Sequence, residues 1–123
     1  MHRPLSSSFR DAFRGVLHTL GSQRNARIHL TIGLAVVGLG FWLRATPLEW
    51  AVLVLTIGLV IATEMLNTAI EALADAVCPD HNHLIGAAKD VAAGAVLVTA
   101  TAAIVVGLLL FGPRLVRVLA GAL

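Results

Sequence analysis

Three apolar runs dominate the chain, and charged or turn-forming residues separate them. Segments of about 20 mostly apolar residues are typical of helices that cross a bilayer. The runs therefore predict three membrane-spanning helices, at about residues 26–43, 48–76 and 87–111. We expect Gly112 and Pro113 to end the third helix, because proline cannot continue the backbone hydrogen bonding of a helix.

A different pattern precedes the first run. Between residues 9 and 20 apolar residues recur at the spacing of one helix face, and arginines and other polar residues occupy the remaining faces. This spacing predicts an amphipathic helix at about residues 8–20. Because its polar face is basic, we expect the helix to lie on the membrane surface, with packing beside the other helices as the alternative. The predicted fold is an all-α membrane protein with a single domain over residues 1–123.

The composition agrees with a membrane protein. Hydrophobic residues make up 58% of the 123 residues and charged residues only 13%, and the mean hydropathy is +0.88. Soluble domains carry about 25% charged residues. The formal net charge of +2 and the absence of a basic stripe in the sequence argue against nucleic acid as a partner.

The distribution of arginines predicts the orientation in the membrane. Five of them precede the first apolar run: Arg3, Arg10, Arg14, Arg24 and Arg27. Positive residues favour the cytoplasmic side. With three spans, the N-terminus and the 77–90 connection then lie in the cytoplasm and the C-terminus lies outside. Arg114 and Arg117 oppose this orientation but are fewer.

The second run ends in a stripe of polar side chains. Glu64, Asn67, Glu71 and Asp75 are spaced by three, four and four residues. At about 100° per residue they fall within roughly 80° of one helix face. Carboxylates at the end of a membrane helix are costly to hold there. The stripe therefore predicts a cavity that receives a metal ion or a charged substrate.

Two carboxylates of the stripe suit two separate tasks. Glu64 and Glu71 are about 10 Å apart along the helix axis, too far to share one ion. The deeper Glu64 can accept a proton from a group presented by the bilayer. The shallower Glu71 can hold Mg²⁺ that bridges phosphates, because Mg²⁺ commonly uses one or two carboxylates plus phosphate oxygens. Lys89 can stabilise the negative charge of the phosphates, as phosphoryl transfer requires.

These residues carry a resemblance to a known family. The motif Glu64-x-x-Asn67-Thr-Ala-Ile-Glu71-x-x-x-Asp75 is followed by Ala88-Lys89-Asp90-x-Ala-Ala-x-Ala-Val-Leu97. The pair resembles the small integral-membrane bacterial lipid kinases, which comprise diacylglycerol kinase and undecaprenol kinase. The resemblance extends over roughly residues 9–110.

The resemblance implies a role for each matching residue. Glu64 corresponds to the catalytic base and Asn67 to a residue that orients the reacting groups. Glu71 corresponds to a Mg²⁺ ligand, and Lys89 and Asp90 to the ATP-binding pair. It also implies a homotrimer with sites between subunits, located in the bacterial inner membrane with the active site on the cytoplasmic side.

The sequence departs from the family pattern at Gln23, where the family commonly has a second metal-binding Glu. A glutamine carbonyl can ligate Mg²⁺ but brings no charge, so the predicted metal ligands are Glu71 and Gln23. The segment Asn25-Ala-Arg27-Ile-His29-Leu resembles the undecaprenol kinase branch more closely. His29 stands where the diacylglycerol-specific branch tends to have Glu. We expect undecaprenol as the lipid substrate, with diacylglycerol as the alternative.

Other interpretations remain open at this point. A small proton-coupled transporter also places an acid in the membrane, but here the acids cluster at one surface together with an amide and a Lys-Asp pair. A non-catalytic assembly subunit explains the small residues of the third helix but not the stripe. Asp75 can simply solvate a helix end, and His29 can be an interface residue. His81 and His83 are expected in a solvated loop.

Overall fold

The computed structural model describes residues 2–121, and within that range the chain forms four α-helices and no strand. The helices are α1 (Leu5–Ser22), α2 (Arg24–Trp42), α3 (Pro47–Val77) and α4 (His83–Leu119). The predicted all-helical architecture is confirmed for these residues. The second and third helices begin and end within two residues of the predicted limits, whereas α1 and α4 are longer than predicted.

Local signals explain where α3 begins. The Thr46 hydroxyl accepts a hydrogen bond from the Glu49 backbone N–H (3.2 Å), and the Glu49 carboxylate accepts one from the Thr46 backbone N–H (3.0 Å). This reciprocal arrangement satisfies donors that have no partner within the first turn. Pro47 occupies the first helical position, where its missing N–H costs nothing.

The limits of α4 differ from the prediction at both ends. The Asn82 side chain accepts hydrogen bonds from the backbone of Leu84 (3.0 Å) and Ile85 (3.2 Å), so the helix begins at His83 rather than at residue 87. The prediction that Gly112 and Pro113 end the helix is wrong, because α4 continues through Pro113 to Leu119.

A contact with another helix explains how α4 continues past the proline. The Arg114 guanidinium forms an ion pair with Glu49 on α3 and lies 3.5 Å from the Leu43 carbonyl oxygen. Farther along the last turns, Arg117 donates to the Pro113 carbonyl oxygen (3.3 Å). The Arg114 contacts fix the segment after Pro113 against the rest of the fold, and the Arg117 contact stays within α4; together they offset the lost backbone hydrogen bond.

Helices α3 and α4 pack antiparallel along most of their length. Three pairs of polar contacts join them: Lys89 with Asp75, Thr63 with Thr99, and Arg114 with Glu49. As the residue number of the partner on α3 increases, the residue number of its partner on α4 decreases. The fold therefore has one end that contains Asp75 and Lys89, and an opposite end that contains Glu49 and Arg114.

Helix α2 packs antiparallel to α3 through close approaches at glycine. A Cβ atom added to Gly40 would lie 2.8 Å from the Trp50 ring, and one added to Gly33 would lie 3.3 Å from Ile57. Small residues let membrane helices approach closely in this way. The N-terminal part of α2 consequently lies beside the polar stripe of α3.

Two helices within residues 2–121 are long and apolar enough to cross a membrane, α3 and α4. Both expose most of their large apolar side chains. Helix α2 is not among them, since its 19 residues start with a polar segment. An apolar surface of this extent is typical of a protein in contact with lipid. The third span stays a prediction.

Candidate active site

The polar stripe of α3 runs from the interior to the surface. Glu64 is fully buried, with 2% of its surface exposed. Asn67 and Glu71, one and two turns later, are half-buried, and Asp75 is exposed. The stripe thus joins a buried carboxylate to a region open to water, which can admit a soluble nucleotide at one end and a membrane group at the other.

His29 on α2 is the polar neighbour of the Glu64 carboxylate. Its Nε2 lies 3.3 Å from Glu64 Oε1, yet the geometry is not that of a hydrogen bond, and Oε1 has no hydrogen-bond partner. The nearby Thr68 hydroxyl donates to the Glu64 main-chain carbonyl (2.8 Å) and leaves the carboxylate free. A buried carboxylate without a hydrogen bond is costly, so its position calls for an explanation.

A side-chain oxygen of Asn67 is also unpaired, like that of Glu64. Its Nδ2 donates weakly to Glu71 Oε1 at 3.5 Å, whereas its Oδ1 is buried and has no hydrogen-bond partner. In the part of the chain that the structure describes, Glu64 Oε1 and Asn67 Oδ1 are the two buried side-chain polar atoms in this condition. Both belong to the stripe, and both are acceptors whose hydrogen bonding a donor from a bound group would complete.

Lys89 and Asp75 meet at the water-facing end of the stripe. The Lys89 Nζ lies 2.8 Å from Asp75 Oδ1, so the first turns of α4 are tied to the last turns of α3. Asp75 therefore does more than solvate a helix end. Asp90, the next residue of the predicted nucleotide pair, is exposed. The structure thus brings Lys89 to the surface end of the stripe.

Gln23 and Arg27 lie at the junction of α1 and α2. Gln23 separates α1 from α2 and is half-buried. The Arg27 guanidinium donates to the carbonyl oxygens of Leu20 (3.1 Å) and Gly21 (3.0 Å), which are otherwise unpaired at the end of α1. Arg27 thus caps the α1–α2 junction. His81 is exposed in the connection between α3 and α4, as expected, whereas His83, also predicted in this loop, is exposed but is the first residue of α4.

The side chains of the stripe offer few ligands for a metal ion. No group of three or more His, Cys, Asp or Glu side chains within residues 2–121 is arranged to hold one. Glu71 and Asn67 both carry hard oxygen donors, and their side chains approach each other through Asn67 Nδ2, 3.5 Å from Glu71 Oε1. They fit Mg²⁺ that takes its remaining ligands from phosphate oxygens and water, but not an ion held by protein alone.

The sequence pattern did not predict His29 as part of the site. Position 29 lies in the first turns of an apolar helix, and its contact with Glu64 joins residues 35 positions apart. The available signal was the family comparison, in which another polar residue occupies this position. Periodicity within one helix cannot predict which side chain of another helix it meets.

An apolar cavity of about 400 Å³ adjoins His29. It lies between α2, α3 and α4 and extends along the bundle as far as Phe111 and Leu115 on α4. Apart from His29 and Thr56, its lining side chains are apolar. The cavity therefore suits a long hydrocarbon chain, and one of its ends lies beside the His29–Glu64 pair.

Comparisons with known proteins agree with this geometry. Residues 10–111 match the sequence model of the prokaryotic diacylglycerol kinases. The undecaprenol kinase of Bacillus subtilis is 42% identical over 108 residues, which cover 88% of each chain. The diacylglycerol kinase of Synechocystis is 43% identical over 113 residues, 91% of this chain and 65% of that protein. The diacylglycerol kinase of Escherichia coli K12 is 36% identical over 72 residues, 58% of each chain. The chain therefore belongs to the prokaryotic diacylglycerol kinase family.

Proposed function

We propose that this lipid kinase transfers the γ-phosphate of ATP to the hydroxyl group of undecaprenol, with Glu64 as the general base. The observation that carries the proposal is the position of Glu64. Its carboxylate is buried, its Oε1 has no hydrogen-bond partner, and it adjoins the apolar cavity through His29. A lipid hydroxyl brought to this point would supply the missing donor.

The proposed reaction assigns the proton to Glu64. The lipid oxygen forms a bond to the γ-phosphorus while the bond between that phosphorus and the β,γ-bridging oxygen breaks, and ADP leaves. The hydroxyl proton passes to Glu64 Oε1. A positioned base typically accelerates such a step by about 10²–10⁴-fold, and the rest of the barrier is lowered by positioning and electrostatics.

The surface half of the stripe is proposed to bind the nucleotide. Glu71, the Asn67 oxygen and Gln23 would hold Mg²⁺ of MgATP, which neutralises phosphate charge. Lys89 would contact phosphate oxygens, and Asp90 would complete the nucleotide site. The decrease in burial along the stripe supports this division, because ATP arrives from water and the lipid arrives from the bilayer.

The apolar cavity is proposed to hold the lipid chain. On α2 it is lined from His29 to Leu39, a length of about 15 Å. That length accommodates several isoprene units or part of an acyl chain, so the cavity supports a lipid acceptor of either kind. Undecaprenol is preferred because the B. subtilis undecaprenol kinase is matched over 88% of its length. Diacylglycerol is the second candidate, favoured by the Synechocystis relative.

The proposed assembly has three spans in the bacterial inner membrane and forms a homotrimer. The Glu64–Asp75 stripe and the N-terminus would face the cytoplasm. Helix α1 would lie on the membrane surface, because its apolar side chains Leu5, Phe9, Phe13 and Leu17 are exposed. Arginines concentrated before residue 28 support this orientation.

Transfer of label from terminally labelled ATP to extracted lipid tests the proposal. Purified protein is assayed with undecaprenol and with diacylglycerol at equal mole fractions in the same detergent. We expect labelled undecaprenyl phosphate as the main product. We expect Glu64→Gln to abolish labelling while ATP binding persists. The matched control is Asp80→Asn, which neutralises an exposed loop acid and should keep full activity.

The outcomes separate the alternatives. Preferential labelling of diacylglycerol would show that diacylglycerol, rather than undecaprenol, is the acceptor of the same phosphoryl transfer. Full activity in Glu64→Gln would exclude this residue as the base. The absence of label in either lipid, with ATP bound, would favour a transporter or an assembly subunit.

A further inference from the structure

Besides the apolar cavity, the fold has a polar pocket at the end opposite the proposed active site. Its volume is about 510 Å³, and it is lined by Trp42, Leu43, Arg44, Arg114, Arg117 and Val118. Along α3, Glu49 at this end is 15 residues from Glu64, which corresponds to about 22 Å. The pocket is therefore separate from the proposed kinase site, and the proposed reaction uses none of its residues.

Arg114 is held in place by the neighbouring helices. Its guanidinium pairs with Glu49 and lies 3.5 Å from the Leu43 carbonyl oxygen. Glu49 is itself fixed by the Thr46 backbone N–H, at 3.0 Å. A guanidinium has five N–H donors in a fixed plane, so these contacts leave donors available toward the pocket.

Arg44 lines the pocket at a strained backbone position. Its φ is +55°, in the left-handed region that glycine usually occupies after a helix. The Arg44 N–H donates to the Phe41 carbonyl oxygen (3.3 Å) and the Ala45 N–H to the Gly40 carbonyl oxygen (2.9 Å), which is the hydrogen bonding of a Schellman motif. This motif ends α2 and fixes the backbone of Arg44 at the edge of the pocket.

The charge of the pocket is unbalanced. Three guanidinium groups line it, and Glu49 supplies one carboxylate beside them. Arg117 uses its Nε to contact Pro113 and keeps its terminal nitrogens for other partners. Paired planar donors of this kind suit phosphate oxygens, which they can bind in bidentate fashion.

The apolar part of the lining identifies the kind of phosphate. Trp42, which is 60% exposed, lies beside the arginines at the last turn of α2, and Leu43 and Val118 complete the wall. Tryptophan is enriched at the level of lipid headgroups. A site with cationic and apolar walls at the end of membrane-type helices suits a headgroup phosphate with its chains continuing into the bilayer.

We propose that this pocket binds the phosphate of an anionic phospholipid, in the leaflet that faces away from the active site. Arg44 and Arg117 contact the phosphate oxygens, Arg114 sets the floor of the pocket, and Trp42 packs against the glycerol and upper chain region. The proposal requires α3 and α4 to cross the membrane but does not depend on the identity of the kinase substrate.

Fluorescence quenching of Trp42 tests the proposal at the pocket itself. The chain has two tryptophans, so Trp50→Phe leaves Trp42 as the only one. Phosphatidylglycerol or phosphatidylcholine with brominated acyl chains is titrated into mixed micelles of this protein. We expect phosphatidylglycerol to quench Trp42 at a mole fraction at least twofold lower than phosphatidylcholine does. Equal quenching by the two lipids would overturn the proposal.

Variants that remove arginine charge test whether the preference for phosphatidylglycerol arises at this pocket. Arg44→Gln with Arg117→Gln should abolish the preference for phosphatidylglycerol, whereas Arg10→Gln with Arg14→Gln removes the same formal charge from α1 and should keep it. A preference that survives the first pair, or is lost in the second, would refute the assignment. Arg117→Gln alone, which disturbs only a contact with Pro113, repeats the test if the double variant does not fold.

Inorganic phosphate distinguishes a lipid headgroup from a free anion. At equal ionic strength, phosphate and chloride should reduce the preference for phosphatidylglycerol equally, since neither carries an apolar chain. Selective displacement by phosphate would show that the pocket binds the free anion, and the lipid assignment would then fail.

Discussion

The imidazole of His29 and the carboxylate of Glu64 face each other across the α2–α3 interface, with Nε2 3.3 Å from Oε1. Glu64 is 2% exposed and His29 is 22% exposed, so the histidine lies between the buried acid and more accessible space. In the proposed reaction, His29 would position Glu64 and accept the proton that Glu64 takes from the lipid hydroxyl.

Replacement of His29 is the direct test of this relationship. His29→Gln keeps a donor near Glu64 but cannot carry a proton, so we expect kcat to fall by about tenfold or more. His18→Gln is the matched control on an exposed face of α1. An unchanged kcat in His29→Gln would exclude this role.

The sequence predicts those parts of the fold that depend on local signals. The polar stripe follows from spacing within one helix, and the start of α3 follows from the Thr46 cap and Pro47. The continuation of α4 past Pro113 depends instead on the pairing of Arg114 with Glu49, 65 positions away. A local proline signal cannot include the stabilisation that such a contact supplies.

The candidate site likewise divides into features that local spacing predicts and contacts between helices that it does not. Glu64, Asn67 and Glu71 could be found because they share one face of one helix. The contacts of Glu64 with His29 and of Asp75 with Lys89 join different helices, and no spacing rule predicts them. The unpaired oxygens of Glu64 and Asn67 are likewise visible only after all packing partners are in place.

Glu71 is the next residue to test, through the metal dependence of the reaction. Glu71→Ala should raise the Mg²⁺ concentration required for half-maximal activity at least tenfold or abolish turnover, because it removes the half-buried stripe carboxylate that is proposed to hold the ion. Gln23→Glu should keep activity and lower the Mg²⁺ requirement, since it adds a charge. Titration of activity against Mg²⁺ at fixed ATP measures both. Normal Mg²⁺ dependence in Glu71→Ala would place the metal elsewhere.

The pairing of Lys89 with Asp75 allows a comparison of its two members. Lys89→Gln should raise KM for ATP by about tenfold, because it removes a charge that contacts phosphate in the proposed complex. Asp75→Asn removes the partner but keeps the lysine, so it should change KM for ATP by less than threefold. Steady-state kinetics at saturating lipid supply both values. Equal effects of the two variants would indicate that the ion pair matters only for structure.

The hydroxyl pair of Thr63 and Thr99 joins α3 to α4, with 2.8 Å between the oxygens. Thr99→Val keeps the shape of the side chain but removes this hydrogen bond, and we expect it to lower the free energy of unfolding by about 0.6 kcal/mol. Thr101→Val is the control, because the Thr101 hydroxyl contacts only the Leu97 carbonyl of its own helix. Unfolding titrations in a denaturing detergent compare the two. Equal destabilisation would assign no interhelical role to the pair.

Gly40 and Gly38 provide a matched test of the α2–α3 packing. A Cβ atom at Gly40 would lie 2.8 Å from the Trp50 ring, which itself packs against Phe41 with ring centroids 4.8 Å apart, so the ring cannot move freely. Gly40→Ala should therefore destabilise the protein by about 1–3 kcal/mol, despite the higher helix propensity of alanine. Nothing lies within 4 Å of a Cβ atom at Gly38, and Gly38→Ala should be neutral or stabilising by up to about 1 kcal/mol. Thermal inactivation midpoints of the two variants, measured in the same lipid, should move in opposite directions or differ clearly in size. If both variants match the wild type, α2 is not packed closely against α3 at this level of the bundle.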